Sequence, residues 1–560
     1  MASVFTSLAT WLRRGTLLLG LLAAAPVLAQ RGQVGAHDPS TIVKSGSTYW
    51  TFTTGQGITS LYSTDLVNWT AGPRPVFANN AIPSWITPKV PGFTGNFWAP
   101  ECFFMNGQYY LYYSCSTFGS KVSAIGLATN ATLDPSSPSY QWVDQGEVIS
   151  TNGSSAVNAI DPAIFRDTDG RVWLTYGSFF GGLRVTELSA TTGKVLNANN
   201  QTAVANADPE AACLTKNGSY YYLFINRGAC CRGINSTYYI MVGRSTSPTG
   251  PFLDQNGVSL NNGGGTLVLN VSGRYVGPGH AGLLTENGTT YFSHHYYDGD
   301  DNGAPKLGLA KLTWSAAGWP VVTRDWLPAG AYTLANRSSN LVWDAWGCTG
   351  AAGQAVAQGT SAGLTCQQWN LVPQGDGIYK ITNALSNLPV SVATCSPANG
   401  AVLQLGNPNG TCQEFTVAQA SDGSFVLAAT FGNRVVEVPG CVTTPGTQLA
   451  LYDYLGNSCQ KWTATAVGST LAASTARGLE GVRVYPVPAT GGSFTVELGS
   501  LPTPGATTVE VFNLQGQAVY RREFAAQQAR LAVDAKLREG VYLVRISRAT
   551  GLFTQKITVL

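Results

Sequence analysis

Five times between residues 38 and 315 the same local pattern returns: a glycine turn, a strand crowded with aromatic residues, a polar gap and a second strand. The turns are Gly46 in GSTYWTF, Gly107 in GQYYLYY, Gly170 in GRVWLTYG, Gly218 in GSYYYLF and Gly288 in GTTYFSHHYY, spaced 61, 63, 48 and 70 residues apart. Each interval has room for a four-stranded sheet. Five such sheets arranged radially make a five-bladed β-propeller, which limits exposed edges by repetition. A β-sandwich is the competing arrangement and does not ordinarily repeat one motif five times.

A second, tighter period follows. Cys348, Cys395 and Cys441 lie 47 and 46 residues apart, and Cys366, Cys412 and Cys459 trail them by 18, 17 and 18. Each trailing cysteine opens a related tripeptide: Gln367-Gln368-Trp369, Gln413-Glu414-Phe415 and Gln460-Lys461-Trp462. Three such units, each closed by its own disulfide, describe a β-trefoil; a loop of about 17 residues closed this way contributes roughly 3 kcal/mol by the chain-entropy account. The expected fold class is therefore all-β throughout: a five-bladed β-propeller over 30–327, a β-trefoil over 328–467, a linker of small residues over 468–480 and a small C-terminal β-sandwich over 481–560.

Met1 to Ala29 carries Arg13 and Arg14, then an apolar run from Thr16 to Ala25, then Val27-Leu28-Ala29. That is the layout of a cleavable signal peptide over 1–29, and the run is too short for a bilayer. A buried N-terminal helix is the alternative. No later stretch is apolar enough for a membrane span, so an exported protein is expected, and eleven cysteines suit an oxidising destination. The cysteine total is odd, which leaves at least one thiol unpaired. Cys230 and Cys231, being adjacent, are expected as buried thiols. No Cys-x-x-Cys spacing with a nearby His suggests zinc. At 11% charged residues with 24 Tyr, 21 Phe and 14 Trp, the chain is neither a disordered polymer nor a basic nucleic-acid binder. From Gly481 onward nine basic residues face five acidic ones, which leaves the body slightly acidic and better suited to a neutral polymer than to an anionic one.

Counting back from each glycine turn reveals where chemistry collects. Asp38, Glu210 and His280 each lie eight residues before their turns, Asp161 nine and Glu101 six. If that phase is the axial end of each innermost strand, five ionisable groups converge at one mouth of the channel. Three carboxylates, a histidine and many aromatics suggest glycoside hydrolysis, in which an inverting enzyme sets a general acid and a general base about 6.5–9.5 Å apart. Asp167 and Asp169 flank the Gly170 turn and suit a turn role, and Glu101, ranked below Asp38, Asp161 and Glu210, is open to pairing only with a neighbouring blade. His37, His294 and His295 are open to a structural role, and no Gly-x-Ser-x-Gly nucleophile motif competes.

Residues 36 to about 320 resemble glycoside hydrolase family 43, nearest its endo-α-1,5-L-arabinanases. The matching strings are Ala36-His37-Asp38-Pro39-Ser40, Asn96-Phe97-Trp98-Ala99-Pro100-Glu101, Ser116-Thr117-Phe118-Gly119-Ser120, Asn158-Ala159-Ile160-Asp161-Pro162, Cys230-Cys231-Arg232-Gly233 and His294-His295-Tyr296-Tyr297-Asp298. The resemblance implies Asp38 as general base, Glu210 as general acid and Asp161 as the residue that tunes and orients the acid. It implies that Trp98, Phe118 and Asn158 line the sugar subsites, and that His280 helps to hold a metal ion, usually calcium, on the propeller axis. The family's acid sits in Ile-Glu-Ala-Pro; here it is Pro209-Glu210-Ala211-Ala212, so Asp208 competes for that role. Residues 328–467 resemble the ricin-type lectin domain, whose pockets are marked by an Asp just before the first cysteine of a repeat. The phase gives Asp344, Ser391 and Glu437, and only Asp344 matches. The C-terminal module is similar to the sorting domain of the type IX secretion system, which implies a bacterial, secreted or cell-surface protein that meets that machinery. Together these imply an enzyme acting on arabinan, a plant cell-wall polysaccharide, as a monomer. An exo-acting α-L-arabinofuranosidase or β-xylosidase remains open within the fold, and a non-catalytic glycan-binding protein outside it.

Overall fold

The computed structural model describes residues 30–78, 81–408, 410–432, 434–467, 482–498, 507–513, 518–525, 528–548 and 551–560. The signal peptide and the linker expected over 468–480 lie outside them. Among the described residues no helix is long and apolar enough to cross a membrane.

Five sheets form the blades. Their inner strands are Val43–Ser45, Asn96–Met105, Ala163–Arg166, Glu210–Asn217 and Tyr275–Glu286, and each pairs antiparallel with the aromatic strand that follows its glycine turn. All five turn glycines are left-handed, with φ between 58° and 90°. At Asn106-Gly107 and Asn287-Gly288 both central residues of a two-residue hairpin are left-handed, the geometry that matches strand twist and that Asn-Gly adopts most readily.

The aromatic strands are buried on both faces, and their alternation assigns each side chain to one neighbour. Tyr109, Leu111 and Tyr113 pack towards blade one with Trp50, Phe52 and Ile58, whereas Tyr110 and Tyr112 pack towards blade three with Ile164, Leu174 and Tyr176. Blade four repeats the split: Tyr221, Leu223 and Ile225 meet Trp173 and Val185, while Tyr222 and Phe224 meet Phe292 and Leu312. The N-terminal segment closes the ring. Arg31–Gly32 runs parallel to Asn68–Ala71 on blade one, and Val34 and Ala36 hydrogen-bond Leu307 and Pro305 on blade five.

The trefoil follows from Gly330–Asn336 to Trp462–Ala466, with disulfides Cys348–Cys366, Cys395–Cys412 and Cys441–Cys459. Trp369, Phe415 and Trp462 are fully buried at equivalent positions, and Trp343 meets both tryptophans edge-on. Trp369 Nε1–H donates to Trp343 O and Trp462 Nε1–H to Val436 O, so the indoles satisfy their one polar atom within the core. This core is continuous with that between blades five and one, through Trp326 and Leu327. Tyr379 Oη both accepts from Leu327 N–H and donates to Leu327 O, Arg324 pairs with Asp376, and Tyr454 Oη donates to Asp65 at 2.5 Å.

Residues 482–560 form a separate compact unit of seven strands. Its core includes Val484, Phe494, Val509, Val511, Val544, Ile546 and Ile557.

Candidate active site

The inner strands do not run straight to the axis. Bulges interrupt the pairing between Trp98 and Glu101, between Glu210 and Cys213, and on both sides of Gly279. At the axial end of each inner strand sits a residue forced into the left-handed region: Asp38 (φ 46), Ala99 (35), Asp161 (55), Ala211 (51) and His280 (61). Such conformations cost about 1–3 kcal/mol each in a non-glycine residue and persist where surrounding contacts over-determine them.

Here the over-determining contact is a cap from the preceding blade. Asp38 N–H donates to His295 Nδ1 of blade five (3.1 Å), Ala99 N–H to Thr54 Oγ1 of blade one (2.9 Å), Asp161 N–H to Ser114 Oγ of blade two (3.0 Å) and His280 N–H to Asn226 Oδ1 of blade four (3.0 Å). Blade four breaks the pattern in a useful way. Ala211 N–H donates to Asp161 Oδ2 (3.2 Å), while Ser178, the cap that blade three has available, donates to Asn158 Oδ1 instead. The Asp161 carboxylate is thereby bonded to the residue next to Glu210. The caps were missed from the sequence, although each lies seven or eight residues after its glycine turn, mirroring the acidic positions before it.

Asp38, Asp161 and Glu210 all line one cleft of about 660 Å³, with Trp98, Phe118, Asn158, Asp208 and Tyr238. Phe118 is 88% exposed at its rim, and Phe179 and Phe180, stacked on each other at 4.2 Å, form an apolar wall that the sequence reading did not single out. Glu101 does not belong here. Blade two presents Ala99 to the axis, and Glu101, two residues on, is buried, accepting from Thr41 N–H at 2.8 Å. Burial pushes its pKa up to about 7 against that hydrogen bond. The expected convergence of five ionisable groups is thus reduced by one.

The remaining carboxyls are driven apart electrostatically. Burial alone would raise the pKa of Asp38, but the charge and hydrogen bond of His37 (Nδ1 to Oδ2, 2.8 Å) outweigh it and hold the carboxyl well below the ordinary range. Thr54 Oγ1 donates a further bond to the same oxygen. Glu210 moves the other way, to about 7, because burial and then the Asp38 charge disfavour its ionisation against an opposing hydrogen bond from Tyr238. Asp161 is raised well above the ordinary value by burial and by the neighbouring charges of Glu210 and Asp38. One carboxyl held ionised beside one whose pKa is raised to about 7 is the division that acid–base catalysis needs. Asp208 lies exposed at the cleft edge.

His37 stacks on His295 (4.4 Å) and reaches Tyr297 Oη through Nε2 (2.7 Å). His280 is buried beside Asp38, its Nδ1 3.6 Å from Oδ1, and burial lowers its pKa and that of His295. His295 Nε2 is buried and has no hydrogen-bond partner among the described residues. Neutral imidazoles, one with an unused buried nitrogen, beside a carboxylate fit a cation that takes few protein ligands and completes its shell with water. His294 belongs elsewhere, against Arg324 at the boundary with the trefoil. Cys230 and Cys231, expected as thiols, are bonded to each other and line the cleft, and the free cysteines Cys102, Cys115 and Cys213 are buried.

In the trefoil, Asp344 Oδ2 accepts from Gln367 Nε2–H (2.7 Å), and Gln367 also donates to Thr360 O and accepts from Ala362 N–H. Repeat three reproduces this with Glu437, Gln460, Asp453 and Leu455. In repeat two, Ser391 stands at the acidic position and Gln413 Oε1 is buried without a partner among the described residues. The longer glutamate, set aside in the sequence as a mismatch, makes the same bond as the aspartate.

Three family models match the chain: Glycosyl hydrolases family 43 over residues 24–320, Ricin-type beta-trefoil lectin domain-like over 314–406 and Secretion system C-terminal sorting domain over 483–560. Among its relatives, the extracellular exo-alpha-(1->5)-L-arabinofuranosidase ArbA of Cellvibrio japonicus is 40% identical over 319 residues, 54% of this chain and 90% of the relative. The extracellular endo-alpha-(1->5)-L-arabinanase 1 of Bacillus subtilis is 39% identical over 333 residues, 56% of this chain and 98% of the relative. The probable arabinan endo-1,5-alpha-L-arabinosidase A of Aspergillus clavatus is 38% identical over 306 residues, 52% of this chain and 92% of the relative.

Proposed function

The chain belongs to glycosyl hydrolases family 43, and from that premise we propose that it hydrolyses the α-1,5-L-arabinofuranosidic bonds of arabinan with inversion, cutting within the polymer. It is a secreted or cell-surface protein, in keeping with its sorting domain. The observation that carries the reading is the meeting of Asp38, Asp161 and Glu210 in one cleft, with Asp38 hydrogen-bonded to His37 and held ionised while burial raises the pKa of Glu210 to about 7.

Asp38 is the general base. It takes a proton from a water as that water attacks the anomeric carbon, and Glu210 gives its proton to the departing glycosidic oxygen. After one turnover Asp38 holds a proton and Glu210 lacks one, and exchange with solvent restores both. Asp161 acts on the acid, through its bond to Ala211 N–H and its proximity to Glu210. Trp98 and Phe118 offer ring faces to sugars. Asn158, oriented by Ser178, offers a polar contact beside Asp161.

His280, with water, would hold a calcium ion behind Asp38, and the ion would supply positive charge that favours the ionised base. The trefoil docks the enzyme on wall glycan through Asp344 and Glu437, raising its local concentration.

The test is hydrolysis of linear debranched arabinan, with products resolved by length and the first-formed anomer identified by NMR. Oligosaccharides of inverted configuration are expected. Arabinose alone would replace this reading with the exo-acting one, which the name of the Cellvibrio japonicus relative favours. Binding without hydrolysis would leave a glycan-binding protein. Chelation is expected to lower kcat, calcium to restore it, and His280→Ala to abolish the response.

A further inference from the structure

The loop that joins Tyr220–Arg227 to Tyr239–Ser245 in blade four meets the acid directly and the base through Tyr297 and His37. Tyr238, at its end, hydrogen-bonds Glu210. Cys231, near its start, donates its backbone N–H to Tyr297 Oη at 2.7 Å, and the same oxygen lies 2.7 Å from His37 Nε2. His37 Nδ1 in turn is 2.8 Å from Asp38 Oδ2. In neutral imidazole the phenol hydrogen points at Nε2 and the Nδ1 hydrogen at Asp38; in the imidazolium both ring nitrogens donate. Either way Nδ1–H is aimed at the base.

What aims the Cys231 N–H is the backbone at that residue, which is left-handed (φ 63) although it carries a side chain. A bond between the sulfurs of adjacent residues closes a ring around a single peptide unit and restricts the dihedrals on either side of it. The loop is anchored behind it by Thr237 N–H to Ala229 O, Ala229 N–H to Thr237 Oγ1 and Ser236 Oγ–H to Ala229 O. On the cleft side, Cys231 Sγ lies 3.9 Å from His37 Nε2.

We propose that the Cys230–Cys231 disulfide is a positioning element for the general base: it sets the Cys231 N–H on Tyr297, and Tyr297 sets His37, which orients Asp38. The inference rests on Asp38 being the base. The two cysteines and Tyr297 act through His37, and the disulfide is not oxidised or reduced in the reaction.

The test is a double-mutant cycle in the full chain, with kcat and KM measured on linear arabinan for Cys230→Ser/Cys231→Ser, for Tyr297→Phe and for their combination. The cysteine pair is expected to lower kcat about tenfold or more, as displaced catalytic groups do, with KM changed less than about twofold. In the Tyr297→Phe background the same substitutions are expected to cost less than about twofold, because residues acting through one relay are not additive. An unchanged kcat, full additivity, or a rise in KM alone would each overturn the proposal, the last by making the disulfide a wall of a sugar subsite. Should the cysteine variant melt before the assay temperature, Tyr297→Phe decides: it must lower kcat without raising KM, and an unaffected kcat overturns the relay. Asp38→Asn separates the two levels. If it is inactive while the cysteine variant is fully active, only this inference fails; if it is active, the assignment of the base fails and this inference with it.

Discussion

The propeller and the trefoil are both built by internal repetition, yet they use it in opposite ways. In the trefoil the repeated core residues do the same job each time, Trp369, Phe415 and Trp462 filling one core, and Gln367 and Gln460, though not Gln413, make the same bonds. In the propeller the repeated axial position holds Asp38, Ala99, Asp161, Ala211 beside Glu210, and His280, so the blades contribute carboxyls, an imidazole and, from blade two, only a methyl group. The backbone kink and its cap recur, while the side chain carried by the kink is free to vary. A repeat that supports a core must stay alike to pack; a repeat that presents groups to a shared axis becomes a site by becoming unlike.

The largest expected effect tests the unlike positions. Asp38→Asn and Glu210→Gln each remove one proton-transfer partner and should lower kcat by about 10²–10⁴-fold, measured on arabinan with variants whose circular dichroism shows them folded at the assay temperature. Ala99, at the same structural position, should tolerate Ser without such a loss, and a comparable drop there would break the contrast.

Next come the alike positions. Trp462→Ala opens the trefoil core and should cost about 3–5 kcal/mol in chemical denaturation. Molecules that remain folded should keep the kcat of the parent on short soluble arabino-oligosaccharides. A kcat loss there would mean that the trefoil shapes the cleft through its packing on blades five and one.

The pH dependence is smaller and has a defined sign. Glu210 must be protonated to act, so kcat/KM should hold below its pKa of about 7 and fall as pH rises through it. Asp38, held below the ordinary carboxylate range, should give no matching loss in weakly acidic solution. Glu210 also affects stability. Its folded pKa is raised from an ordinary value of 4.5, so its contribution turns unfavourable as pH climbs from about 4.5 to about 7 and stays so above. Glu210→Gln should flatten that part of a melting-temperature profile, and an unchanged profile would put the titrating group elsewhere.

The smallest effect sharpens the comparison inside the trefoil. Asp344→Ala and Glu437→Ala should each weaken retention on insoluble arabinan severalfold in pull-down, and Ser391→Ala should not. Equal effects of all three would mean that repeat two also binds.

The two scaffolds were legible in the amino-acid sequence because their signals are local. A glycine turn followed by an aromatic strand declares a hairpin wherever it stands, and a cysteine spacing of 17 or 18 that returns three times at a period of 46–47 declares three closed loops. The positions of Asp38, Asp161, Glu210 and His280 could be counted from those turns for the same reason. Glu101 lies six residues before its turn, whereas the eight-residue phase shared by Asp38, Glu210 and His280 falls in blade two on Ala99, so Glu101 sits two residues past the axial position. Adjacent cysteines read as thiols because nothing in their spacing announces the turn that joins them.

What only the tertiary structure decided is who meets whom across blades. His295 is 257 residues from the backbone N–H of Asp38 that it caps, and Tyr297 is 66 residues from Cys231 and 260 from His37. The sequence by itself determined the repeat, the strand period and the supply of carboxyls near one phase. Closure of the ring decided which carboxyl is ionised. Burial and a neighbour's charge set a pKa, and both exist only once distant blades have come together.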